Sequence, residues 1–413
     1  MATAPAIPLA AAPMVPAHVP AHLVGSFDIH NAPEMAQDPF AFVSRLHAGP
    51  DIFWSTDTMR DGTGDGCWVV TRGELMREIL GDPSRFSSKG EAGFSKLIGE
   101  DWDMIPLEID PPMHTAFREI LNPILYPRVV ARMTEGVVQR ANDLIDQFAD
   151  KDGCEFMSSF GTPFPISIFM QLMGLPQEWM SVFLVWEEDL LRGATPARRV
   201  AAAKAIRLYL DTLADERRAN PKDDLASLVV TSKIDGRLWT DKEVIGALYL
   251  FFVGGLDTVA SSLGWFFDFL ARNPEKQQWL RDNPQEIPHA VEELVRRFSV
   301  VTSRRRCTRD LDFHGVQMKQ GDWISLTYSA GSLDPSAFDN PLEVDFHRKG
   351  VRHFGFSFGP HFCIGTHLAR REMAVALRLW LSRIPPFRIR EGSQVARHGG
   401  GVFGISHLEL AWD

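Results

Sequence analysis

Cysteine is scarce in this chain. Only Cys67, Cys154, Cys307 and Cys363 occur in 413 residues. Their wide, irregular spacing excludes a disulfide framework and a zinc knuckle, and such usage suits a reducing, cytoplasmic setting. Long hydrophobic runs are also missing. The longest, Val244–Leu256, is too short to cross a bilayer, contains Gly254-Gly255 and continues into Asp257. It reads as a buried core helix of a soluble protein with no membrane partner. The start, Met1–Pro20, is rich in alanine and proline but lacks a basic beginning and a continuous apolar stretch. A flexible arm over residues 1–28 is expected there, not a signal or an anchor. Positive charge is in deficit. A formal charge of -10 excludes wholesale nucleic-acid binding, although a local basic patch can still recruit an acidic protein. The chain has no internal repeat, no charge block and no obvious interdomain linker. No Gly-x-Gly-x-x-Gly stands between a strand and a helix, so no dinucleotide site is indicated.

What is present is apolar and aromatic. Hydrophobic residues make up 45%, with 28 phenylalanines and 11 tryptophans. That is ample for a sizeable core and also suits a flat apolar cofactor. Breaks fall at Gly49-Pro50, Asp61–Gly66 and Asp110-Pro111-Pro112. Between them, Cys67–Thr71 reads as a strand, and Glu74–Leu80 and Thr115–Ile124 as helices. Apolar residues then recur at helical spacing through Val129–Phe148, Ser167–Leu172, Trp179–Leu191 and Ala197–Arg218. Thr240-Asp241-Lys242-Glu243 is a capping box that opens a long helix to about Leu270. Another helix spans Ile287–Phe298. Residues 311–326 turn strand-like, Thr366–Leu381 is a final helix, and Gly404–Trp412 reads as short strands. The expected fold class is mainly α, one domain over residues 29–413 with small peripheral sheets.

The most informative stretch is Phe356-Ser357-Phe358-Gly359-Pro360-His361-Phe362-Cys363-Ile364-Gly365. A single cysteine sits in a glycine-flanked, aromatic loop just before a helix. A lone thiolate so placed suits the axial ligand of a haem iron, although free cysteines are commonly small buried hydrophobes. Glu293 and Arg296 share one helix face. His114 and Arg118 do likewise, which also describes an ordinary solvated face. The long helix is apolar nearly all round and then polar at Asp257-Thr258. Its Gly254-Gly255 costs about 1 kcal/mol per glycine in helix propensity, which makes sense where something must approach closely. A mid-helix threonine can equally bond back to its own backbone.

The chain resembles the cytochrome P450 family. The loop fits the family spacing at Phe356, Gly359, Cys363 and Gly365. Gly254-Gly255-Leu256-Asp257-Thr258-Val259, Glu292–Ser299 and His367–Glu372 bring it near the bacterial camphor-hydroxylase subfamily. The resemblance implies a single P450 fold from about Ile29 onward and a haem (heme b) cofactor, with Cys363 as the iron ligand. It places His114, Arg118, Arg305 and His361 on the propionates. Glu293 and Arg296 become a buried structural pair, with Phe356, Gly359 and Gly365 shaping the loop, and Phe356 and Phe362 shielding the thiolate. Asp257 and Thr258 become the catalytic proton relay to activated oxygen. The implied substrate wall is Phe94, Trp102, Leu250, Val253, Val301, Val402 and Phe403.

Two departures matter. Ser303 stands where close relatives carry an aspartate near a propionate. Trp102 stands where the camphor hydroxylase carries a tyrosine that donates to the substrate ketone. Camphor is therefore disfavoured against an ionone-like norisoprenoid or another small terpenoid. With no flavin or cluster motif in the chain, the resemblance implies electrons from a [2Fe–2S] ferredoxin and its NADH-dependent reductase, with O2 as co-substrate. A peroxide-driven peroxygenase, a camphor-type hydroxylase and a non-enzymatic haem sensor are the alternatives. The Asp257-Thr258 pair argues against the peroxygenase, and the lack of an output domain argues against the sensor.

Overall fold

The structure, a computed structural model, describes residues 15–58 and 66–413. The first part of the expected arm and nearly all of the break at Asp61–Gly66 lie outside the described residues. The expected helices are present with shifted ends. Glu74–Leu80 becomes Gly73–Gly81, Thr115–Ile124 becomes Met113–Leu121, and Val129–Phe148 becomes Pro127–Ile145. Prolines open several of these helices, where a missing N–H costs nothing and a fixed φ helps. The helices Pro163–Met173, Met180–Arg192 and Pro196–Ala219 stack over the long central helix.

That central element begins with the expected capping box. Thr240 Oγ1 accepts from the Glu243 N–H, and Glu243 accepts from the Thr240 N–H. It runs as Asp241–Leu256, breaks at Asp257 and resumes as Thr258–Arg272. Together the two pieces are long and apolar enough to cross a membrane by length and composition, but 61% of the most apolar window is buried against the rest of the protein. Gly255 has a packing cause, since a Cβ there would lie 2.4 Å from the Phe169 ring. A Cβ at Gly254 would meet no protein atom within 4 Å, and the residue opens on the large cavity described below.

Strands form a six-membered sheet in the spatial order Val24–Gly25, Ile52–Ser55, Cys67–Val70, Trp323–Thr327, Thr302–Cys307 and Phe86–Ser87. The first of these strands corrects the expected arm. Val24 pairs in parallel with Trp54, Phe27 is fully buried, and His18 Nε2 lies 2.9 Å from Asp322. Residues 15–28 are thus built into the fold, because an edge strand and two buried apolar residues, Val19 and Phe27, tie them down. Two hydrophobic cores result. One joins the sheets to Thr258–Arg272 and Thr366–Arg383, and the other surrounds Asp241–Leu256. The large cavity lies between them.

Candidate functional site

The cavity has a volume of 1110 Å³. Cys363 lies in its wall, at the turn that leads into the helix Thr366–Arg383. The loop holds the cysteine through backbone bonds. The Cys363 N–H donates to the Phe356 carbonyl at 2.9 Å, and the Phe362 N–H donates to Gly359 at 3.0 Å. Gly359 is required, with φ of +71° and space for a Cβ only 2.4 Å from the Leu80 carbonyl oxygen. Gly365 is different. Its nearest contact would be the Cys363 sulfur at 3.8 Å, so no protein atom forces a glycine there.

Phe356 is buried under the Arg370 guanidinium, 4.4 Å from its ring centre. Phe362 departs from the expected shielding role, because its side chain is exposed while its carbonyl accepts from Arg118. In the polypeptide alone, burial pushes the Cys363 thiol up. The Gly365 N–H, Arg118, Arg370 and the Thr366 N–H pull the other way. The loop therefore does not make a thiolate unaided. A coordinated metal ion deprotonates such a thiol outright.

The four expected propionate partners converge, Arg305 alone already holding a carboxylate. His114 and His361 face each other with ring centres 4.3 Å apart. Both nitrogens of His114 and Nε2 of His361 are buried without a partner. Burial lowers His114 to about 4, with Arg118 adding to the fall, Asp110 opposing it and Arg305 contributing the last part. Arg118 donates to the Phe362 carbonyl at 2.8 Å and to Asn122 at 2.7 Å, and meets no carboxylate among the described residues. Arg305 lines the cavity but is already paired. Its Nη1 donates to Glu91 at 2.7 Å and to Ser303 Oγ at 3.2 Å. Glu91 also accepts from the Arg304 N–H, so the carboxylate beside Arg305 comes from a distant segment.

These groups fit haem. An apolar cavity suits the flat ring, the sulfur suits the iron, and enclosed donors without acceptors suit the two carboxylates.

The expected substrate wall is mostly in place. Phe94, Leu250, Val253, Val301 and Val402 line the cavity. Two residues do not. Val301 and Val402 pair across a β-bridge, and the next residue along, Phe403, points the other way. Phe403 is fully buried against Phe40. Trp102 packs on Tyr249 with ring centres 4.9 Å apart, and its indole N–H donates to Glu100. Glu100 is in turn held by Arg207 at 2.9 Å.

Thr258 lines the cavity, its hydroxyl donating to the Gly254 carbonyl at 3.2 Å. Asp257 does not. Its Oδ2 lies 2.6 Å from Arg192 Nη2, and its Oδ1 accepts from Ser261 at 3.0 Å. Arg192 also meets Glu188 at 3.0 Å and His398 at 3.2 Å. Burial, then Asp257, pushes the neighbouring carboxyl of Glu187 well up.

Glu293 and Arg296 form a sealed pair with bonds of 2.7 and 2.8 Å. Arg296 also donates to the carbonyls of Ser332, Pro341 and Glu343, while Glu293 accepts from Arg348 and the Asp345 N–H. The pair thus braces residues 332–348, just upstream of the ligand loop.

Sequence reasoning missed Glu91, Arg192 and Glu372. Glu372 lines the cavity with one carboxyl oxygen unpartnered, pushed well up by burial. A signal existed for it, an acid within the apolar face Leu368, Ala369, Met373, Ala376 of the last helix.

The fold and the cysteine-bearing cavity define a haem-thiolate monooxygenase, and the chain belongs to the cytochrome P450 family, whose profile matches residues 166–385. Within it, the protein is a bacterial-type P450 close to the subfamily of CYP101C1. The crystal structure of cytochrome P450 CYP101C1 is 36% identical, with a TM-score of 0.85, covering 97% of this chain and 100% of that one. "Probable cytochrome P450 127A1" of Sinorhizobium fredii is 43% identical over 96% of this chain and 97% of its own length. "Linalool 8-monooxygenase" of Pseudomonas putida is 28% identical over 91% and 95%.

Proposed function

We propose that this P450 hydroxylates a compact apolar substrate of terpenoid or norisoprenoid type, ionone-like, in the cytoplasm, with electrons delivered by a separate [2Fe–2S] ferredoxin and its NADH-dependent reductase. The observation that carries the substrate class is the wall of Phe94, Leu250, Val253, Val301 and Val402. Such a wall selects by shape and excludes water, and it offers no donor for a ketone from Trp102. The relative named for linalool supports the same class, since linalool is a small terpenoid.

Bound haem supplies the reductive activation of O2 that C–H hydroxylation requires. The chain supplies the rest. Cys363 would hold the iron through its sulfur, and Phe356 covers the loop around it. His114, Arg118 and His361 would hold the haem carboxylates, while Arg305 beside them is already held by Glu91. Thr258 presents a hydroxyl to the cavity. Asp257, one residue earlier, is the proposed proton source for that hydroxyl; its carboxylate is held by Arg192 outside the cavity wall, so proton transfer requires that ion pair to open.

Three measurements test this reading. Cys363→Ser should abolish the thiolate-type absorption band of the reduced, carbon-monoxide-bound protein, and a retained band would remove Cys363 as ligand. Titration of the ferric enzyme should give a larger haem spectral change and tighter binding with an ionone than with camphor. The reverse order would overturn the substrate class and leave the monooxygenase intact. Product should form with NADH, ferredoxin and reductase. Turnover with peroxide alone would point to the peroxygenase instead.

A further inference from the structure

A second cleft, of 340 Å³, lies apart from the catalytic cavity. It forms where residues 37–40, the end of helix Thr258–Arg272, the end of helix Ile287–Arg297 and the strand Ala396–His398 meet. Three guanidiniums line it, Arg272, Arg297 and Arg397, with two carboxylates, Asp38 and Asp268. Both carboxylates are engaged. Asp268 accepts from Arg272 and from Arg397, each at 2.8 Å. Asp38 caps the helix Pro39–Ser44, accepting the N–H groups of Phe40 and Ala41 at 3.0 Å.

Arg297 has no carboxylate within ion-pair distance among the described residues. Its Nε donates to the Leu342 carbonyl at 2.7 Å, and its guanidinium stacks on Phe298 and Phe40 at 4.8 and 5.3 Å. Nη1 of Arg297 and Nε of Arg397 are buried without any acceptor. Burial lowers the Arg297 guanidinium to about 10; Asp38 opposes the fall and Arg296 adds to it. The cleft therefore carries one more positive than negative charge and two enclosed donors that nothing answers. Unanswered buried donors of this kind are rare in folded proteins. The remaining wall is made by Phe40, Trp265, Phe269 and Phe298, with Gln37 and Asn273 beside them.

We infer that this cleft binds the carboxylate of a small organic acid, with the aromatic rings covering the acid's apolar body. A planar guanidinium fork matches a carboxylate, and a stacked arginine loses little freedom on binding it. Inorganic phosphate answers the charge but has no apolar body to lie against the aromatic wall. The site also touches the chemistry. Phe298 lines both the cleft and the catalytic cavity, and the chain from Arg397 runs on to Val402 in the cavity wall. An occupant is thus placed to alter substrate affinity through a shared wall, and substrate must then alter the occupant's affinity by the same factor.

Calorimetric titration of the holoenzyme with sodium benzoate tests the site, with acetate and inorganic phosphate as separate arms. Benzoate should bind one-to-one and raise the thermal midpoint. Arg297→Gln should weaken it by about tenfold or more. Arg397→Gln gives a second reading if Arg297→Gln does not fold. Asp268→Asn, which releases two guanidiniums, should tighten binding. Equal benzoate affinity in the wild type and both arginine variants would place the ligand elsewhere and overturn the inference. So would no benzoate binding at millimolar concentration, or phosphate binding more tightly than benzoate with the same arginine dependence.

Discussion

Glu293 and Arg296 leave no polar atom unanswered, whereas the enclosed rings of His114 and His361 leave three nitrogens without a partner. Both clusters are buried and both flank the segment that carries Cys363. The first is complete within the polypeptide, each charge meeting its opposite and each spare N–H a carbonyl. Such a cluster can only hold the chain in place. The second is complete only when something else arrives. The difference separates residues that build the cradle from residues that receive the cofactor, a distinction that burial alone does not make.

The sharpest way to break this contrast is at the satisfied pair. Glu293→Ala leaves the Arg296 guanidinium charged, fully buried and without its carboxylate. Removing one partner of such a pair costs roughly 3–5 kcal/mol. Denaturant unfolding should show that loss, and purified protein should retain little haem. Unchanged stability and normal haem content would mean that the pair is not structural.

The unsatisfied cluster should respond to pH instead. His114 is held at about 4 by burial, Arg118 adding to the effect, against an unfolded value near 6.5. Between those values the unfolded chain takes up a proton that the folded chain refuses. The stability that the neutral rings contribute is therefore fully present above about pH 6.5 and falls as pH drops toward about 4, His114 supplying on the order of 3 kcal/mol and His361, lowered by burial to about 2, adding to the same slope. This slope belongs to the cofactor-free chain. Carboxylates bound beside the ring favour its charged form, so loading with haem should flatten the slope. Denaturant midpoints across that range, with and without haem, and in His114→Asn, check this. A slope equally steep in the loaded enzyme would place the carboxylates elsewhere.

How much of this was legible in the sequence follows from the same contrast. Local signals carried far. The capping box at Thr240, the helical periodicities and the ligand-loop spacing fixed most elements and the cysteine. Groups that meet across the chain did not show themselves. Glu91 reaches Arg305 from 214 residues away, and Arg192 reaches Asp257 from 65. No periodicity encodes such pairs. Alternation misled once, because naming Val402 and Phe403 together ignored the fact that neighbours on an extended chain face opposite ways.

Thr258 sits between the two kinds of residue, since its hydroxyl already has a backbone partner in Gly254 and also faces the cavity. If the backbone bond were its whole purpose, Thr258→Ala would change stability by about 1 kcal/mol and nothing else. The relay reading expects more. NADH consumption should continue, with electrons diverted to peroxide and product per NADH reduced roughly tenfold or more. Oxygen-electrode and peroxide assays on the reconstituted system decide between the two, and full coupling in the variant would leave Thr258 a plain helix residue.

The smallest effect is expected at Trp102, the residue that most distinguishes this chain's substrate wall in the sequence reading and that the fold turns away from the cavity. Its ring is 3% exposed and lies against Tyr249, and its N–H is taken by Glu100, which Arg207 anchors. Trp102→Phe keeps the ring contact and removes the donor. The loss should appear as about 1 kcal/mol or less of stability, since Glu100 keeps its bond to Arg207. Binding of an ionone and of camphor should stay within about twofold of the wild type, because no cavity atom changes. Val402→Phe, by contrast, adds volume directly to the wall and should weaken the larger ligand first. If Trp102→Phe shifts substrate affinity as strongly as Val402→Phe does, the indole belongs to the pocket after all, and the separation drawn between the lining and its supporting layer fails at this point.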